Sequence, residues 1–144
     1  MNNKDFSKYS DLALLLLRIG VGIVFIVAGW GKIIGLFGYL FSGDEWGFIA
    51  TVDGIGFPLP AFFAAIVAIT EFIGGLMVLF GVYARIPNLL LAFIMLVALF
   101  TTKMDGFDIS HAGTRVDILM LLITLSLAIM GSGKYSVDSM IGKN

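Results

Sequence analysis

Residues 12–34 read LALLLLRIGVGIVFIVAGWGKII, and the reading of this stretch decides the fold. It holds a single charge, Arg18, before Lys32, and it exceeds the roughly 20 helical residues that cross a bilayer. A secretory h-region is shorter and ends in a small-residue cleavage site, so the stretch reads as a true first span and not as a signal peptide. Lipid-exposed backbone must satisfy its own hydrogen bonds, and a long apolar run of this kind is therefore helical.

Working outward, three more apolar runs follow at about 61–83, 86–102 and 116–130. Between the first two spans, Gly35–Pro60 carries Tyr39, Asp44, Glu45, Trp46 and Phe48. Its aromatic and apolar content predicts a short helix in the interface, and Pro58 and Pro60 set up the next helix start. Lys103–Thr114 reads as a polar loop, and the tail from Gly131 to Asp138 reads as leaving the membrane. The expectation is an all-α integral membrane four-helix bundle, forming a single transmembrane domain over residues 1–144. Basic residues near the span ends divide as Lys4, Lys8, Arg85, Lys134 and Lys143 on one side, against Lys32, Lys103 and Arg115 on the other. This bias predicts cytoplasmic termini, with the two larger loops outside.

Composition agrees. The chain is 59% hydrophobic and 13% charged, with a mean hydropathy of +1.02, whereas soluble domains carry about 25% charge. A net charge of −1 gives no footprint for nucleic acid. The sequence has no cysteine and one histidine, which excludes disulfides, thiol redox chemistry and iron–sulfur ligation within the chain. No covalent cofactor and no metal site is expected; His111 with Asp105 and Asp108 is a poor ligand set and reads as a solvated loop.

Charges inside the spans carry the functional question. A charge at the bilayer centre costs about 2.5–3.5 kcal/mol on insertion scales, so it faces the bundle interior and seeks a partner. Arg18, Gly22, Phe25, Gly29 and Lys32 recur at steps of 4, 3, 4 and 3, on one helix face. Ala64, Ala68, Glu71 and Gly75 repeat the pattern, as do Asp117, Thr124, Ala128 and Gly131. Small residues let helices approach closely in lipid, so polar and packing faces coincide. Glu71 has two candidate partners, Arg18 and Lys32, and Asp117 can join either pair. Two readings compete: buried pairs that only fix helix register, or a polar site that binds a small molecule or relays protons.

Leu17–Gly20, Gly29–Lys32, Gly56–Pro60, Glu71–Gly75, Leu79–Arg85 and the closing Gly131–Asp138 occur in an order that resembles the DoxX family of small bacterial membrane proteins. The likeness runs from about Leu14 to Asp138. Where that family often has a glutamate early in its fourth helix, this chain has Asp117. The resemblance implies an association with quinone-linked oxidation and membrane oxidoreductase complexes. Together with the lack of cysteine, it points to an accessory or quinone-interacting subunit. Arg18, Lys32, Glu71 and Asp117 are then the ligand-binding or proton-relay candidates. The expected partners are the bilayer, a membrane redox protein and further copies of the chain. A scaffold or assembly factor is the alternative, and a small transporter a more distant one. Whether the chain itself catalyses a reaction is left open.

Overall fold

The computed structural model describes residues 3–104 and 108–142. Asp105 and Lys143 lie outside these, as do the side chains of Lys4, Lys8 and Lys103. The described residues form six α-helices: α1 (Asn3–Phe37), α2 (Gly47–Gly54), α3 (Pro60–Phe80), α4 (Arg85–Met104), α5 (Ala112–Met130) and α6 (Val137–Met140). Three of them, α1, α3 and α5, are long and apolar enough to span a membrane, and α4 contributes a shorter apolar helix over Arg85–Thr101. The result is the four-helix membrane bundle with a short helix between its first two spans.

Helix ends follow local chemistry. A π-helical turn, Gly38–Ser42, prolongs α1, and Gly43 at φ 72° ends it. Pro60 opens α3, where its missing N–H costs nothing. Gly81, left-handed at φ 66°, closes α3 by donating to the Val78 carbonyl. The second span therefore stops at Phe80, short of the end of its apolar run. In α5 the helix starts at Ala112 instead of Val116, because its first turn is polar and hydropathy alone does not reveal it.

Packing is dominated by two antiparallel pairs, α1 with α3 and α4 with α5, joined through α3 and α4. The first pair is close enough that glycine is required. A Cβ at Gly29 would stand 2.6 Å from the Phe72 amide nitrogen, one at Gly22 2.8 Å from the Leu79 Cβ, and one at Gly75 2.9 Å from the Ile26 amide nitrogen. These glycines lie on the small-residue faces read from the spacing. Beyond them, Val21, Phe25, Val78, Leu91 and Leu127 form a dry cluster across the bundle.

Overpacking costs about 1–3 kcal/mol, so Gly29→Ala is expected to lower the unfolding midpoint in detergent. Gly31, on another face of the same helix, is open: a Cβ there would meet nothing within 4 Å. Gly31→Ala is expected to be neutral or stabilising, by up to about 1 kcal/mol from helix propensity. Equal loss in both variants would show that close α1–α3 approach is not what holds the pair.

Candidate functional site

The register of α1 against α3 brings the C-terminal part of one helix beside the middle of the other. Lys32 there donates its Nζ to Glu71 Oε2 as an ion pair. Glu71 is 3% exposed, while the Lys32 side chain keeps about a quarter of its surface. The Lys32 ammonium also lies 4.8 Å from the centroid of the Phe48 ring, a cation–π position. Of the two partners open to Glu71, the structure selects Lys32.

The pair sits in the wall of a cavity of about 540 Å³. Asp117 of α5 lines the same cavity and lies within electrostatic reach of Lys32. The rest of the lining is mostly apolar, with Phe25, Phe57, Phe63 and Met95 among its residues and Thr51, Thr70 and Thr101 as further polar groups. Ile66, Leu90, Phe93 and Val116 line the cavity while being 43–62% exposed at the bundle's outer face. The cavity therefore opens sideways, where lipid chains would lie. A volume of this order, apolar lining and a few convergent polar groups describe a small-molecule site.

Arg18 belongs to a different place. It is 1% exposed and donates to the Ser132 carbonyl and, at 2.6 Å, to the Tyr135 carbonyl. The C-terminal tail does not leave the bundle but folds back over its end. Asp138, also buried, accepts from the Tyr83 and Ala84 amides at 2.8 and 3.2 Å and so caps the start of α4. The Asp138 amide donates to the Gly81 carbonyl at 3.1 Å, and Asp11 accepts from the Lys134 amide at 3.1 Å. Arg18 thus shares no cavity with Lys32, Glu71 and Asp117. Spacing contained the signal: Asp11, Leu14 and Arg18 continue one helix face, and all three meet the tail.

Asp138 and Asn88 escape a reading of the sequence alone. Asn88 is fully buried and donates to the Ala84 carbonyl at 2.7 Å. Neither residue interrupts an apolar run in a way that marks it. In the loop before α5, Asp108 accepts from Ser110 and faces His111 Nδ1 at 3.1 Å. The Ser110 hydrogen bonds, chiefly, hold the Asp108 carboxyl below its ordinary value. Among the described residues no group of three or more histidine or acidic side chains could hold a metal.

The profile of the DoxX family matches residues 13–104. The chain belongs to the DoxX family. Similar proteins extend the likeness through α5 and the tail. A Bacillus subtilis protein bearing the name "Putative oxidoreductase CatD" is 36% identical over 98% of this chain and 92% of its own. The Escherichia coli inner membrane protein YqjF is 34% identical over 94% of this chain and 97% of its own. The Mycobacterium tuberculosis membrane protein Rv3486 is 30% identical over 91% and 82%. No solved structure is a significant match.

Three substitutions test these contacts in the DoxX-family bundle. Lys32→Met leaves Glu71 buried without its cation and is expected to cost about 3 kcal/mol, near the low end for a buried pair because Lys32 is partly exposed. Combining it with Glu71→Leu is expected to recover most of that loss in detergent unfolding. Arg18→Lys replaces a fork that serves two carbonyls with a point charge, and is expected to cost about 1–3 kcal/mol. It should also speed tryptic cleavage after Lys134 relative to the wild type.

Proposed function

We propose that the cavity around Lys32, Glu71 and Asp117 binds a quinone-class molecule, and that the protein serves as an accessory subunit of a membrane redox complex. The observation that carries this is the pairing of a laterally open apolar cavity with a buried acid–base pair in its wall. The oxidoreductase name of the Bacillus subtilis relative supports the redox setting. The inner-membrane name of the Escherichia coli relative supports a bacterial inner membrane, with both termini cytoplasmic from the distribution of basic residues.

A quinone takes up two electrons and two protons when reduced. The chain's part is positional. The Lys32 ammonium has N–H groups beyond the one given to Glu71 and can donate to a ring oxygen. Glu71 and Asp117 line the same cavity and would hold the proton, the division of labour usual in acid–base sites. Phe48, Phe57 and Phe63 supply flat apolar surface for a ring, and the opening past Ile66 and Phe93 leaves a chain in lipid. The electrons come from a partner protein, since no redox-active side chain of the thiol class exists in the sequence.

A second reading rests on the same ion pair. Lys32 and Glu71 join α1 to α3 and satisfy each other, as a purely structural pair in a scaffold or assembly factor would.

Native mass spectrometry with decylubiquinone separates the two. One quinone per chain is expected to bind saturably to the wild type. Ala28→Phe, which fills the cavity and leaves the ion pair intact, is expected to abolish the adduct, and Glu71→Gln to weaken it about tenfold, the worth of one charge-assisted hydrogen bond. Absence of a saturable adduct in a folded wild type would leave the structural reading.

A further inference from the structure

At the tail end of the bundle, far from the quinone-sized cavity, lies a second hollow of about 690 Å³. Arg85, at the start of α4, and Lys134, in the tail, both line it. Arg85 runs beside Gly131, where a Cβ would stand 3.7 Å from its Nε. Two acids also line the groove, and both oxygens of Asp138 and one of Asp11 accept backbone N–H groups. Asp138 receives the Tyr83 and Ala84 amides, and Asp11 the Lys134 amide. Among the described residues neither the Arg85 guanidinium nor the Lys134 ammonium makes an ion pair. The groove thus presents two uncommitted cations beside acids already engaged with backbone N–H groups.

Its depth is marked independently. Tyr9, Tyr83 and Tyr135 are 63, 48 and 45% exposed and all lie at this end of the bundle. Exposed tyrosines gather at headgroup level. Ile86 and Met130, on the groove's edge, are exposed as well, offering apolar surface where acyl chains begin. Basic pockets between transmembrane helices at this level suit anionic headgroups.

We propose that this groove binds a phosphate group, supplied by the headgroup of an anionic phospholipid, with Arg85 and Lys134 as its ligands. The Arg85 fork takes two phosphate oxygens, and Lys134 adds a point charge from the tail. Bound there, the lipid joins the start of α4 to the tail that Arg18 and Asp138 already hold, so the site is independent of what the larger cavity carries.

The test is native mass spectrometry of the full chain in detergent, titrated with phosphatidylglycerol or phosphatidylcholine. One phosphatidylglycerol is expected to bind saturably and more tightly than phosphatidylcholine. Arg85→Gln with Lys134→Gln is expected to weaken it roughly thirtyfold, and Lys134→Gln alone about fivefold. Arg115→Gln, an exposed cation at the opposite end, is expected to change nothing. Thermal melts confirm that each variant folds; if the double variant does not, the single Lys134 variant decides. Equal binding of the two lipids, or unchanged phosphatidylglycerol binding in a folded variant, overturns the proposal. Displacement of the lipid by an equal concentration of inorganic phosphate overturns the lipid as the source of the phosphate.

Discussion

Hydrocarbon offers a charged side chain no partner other than the chain itself, and most of this structure is arranged around that constraint. Two groups face it most severely, Arg18 and Glu71, each almost wholly buried. They find different solutions. Glu71 takes a cation from the neighbouring helix. Arg18 takes backbone carbonyls from a tail more than a hundred residues away in sequence. The second solution explains why the tail contains Gly131 and Gly133 at positive φ: the chain must turn sharply to aim the Ser132 and Tyr135 carbonyls at one guanidinium. It also explains the buried Asp138, whose carboxylate serves the Tyr83 and Ala84 amides before the start of α4 while its charge lies near that of Arg18. One buried arginine thereby fixes α1, the α3–α4 turn and the tail together.

The Lys32–Glu71 pair depends on a different feature, the close approach of two backbones. With side chains larger than hydrogen at Gly22, Gly29 and Gly75, α1 and α3 would stand further apart. Lys32 would then have to stretch away from Phe48 to reach Glu71. In lipid no hydrophobic effect drives helices together, so contact density and polar pairing supply the association. Here both act on the same helix pair and reinforce each other. The cavity arises beside this contact because α2 and α5 bring aromatic and branched side chains that do not fill the remaining space.

How much of this was legible in the sequence depended on range. Helix identity and number were set by runs of apolar residues, and the α1–α3 contact by glycine and alanine at helical spacing. Local end signals, such as Gly81 and Pro60, fixed boundaries more accurately than hydropathy did. Partner choice was harder. Spacing placed Arg18 and Lys32 on one face, and both could be written opposite Glu71. The choice between them depends on the depth register of two antiparallel helices, which the side-chain pattern alone does not fix. The tail was the clearest departure. Gly131–Asp138 is polar and glycine-rich, and such a segment ordinarily lies in water; only the demand of a buried arginine for acceptors draws it back. Asp11, Leu14 and Arg18 on one face carried that information, yet it becomes visible only once the tail is known to cross them.

Between the two polar regions lies the apolar cluster of Val21, Phe25, Val78, Leu91 and Leu127, whose members are at most 2% exposed. Apolar side chains buried this deeply offer a file of waters no hydrogen-bond partners. Among the described residues, this cluster separates the cavity from Arg18 along the bundle axis. Alternating access would require that layer to open, while the tail lock ties three of the surrounding elements together at its far side. A cavity with a lateral mouth suits a lipid-soluble ligand that enters and leaves within the bilayer. The same layer thus keeps two polar regions apart, one built on an ion pair between helices and the other on backbone carbonyls of the tail.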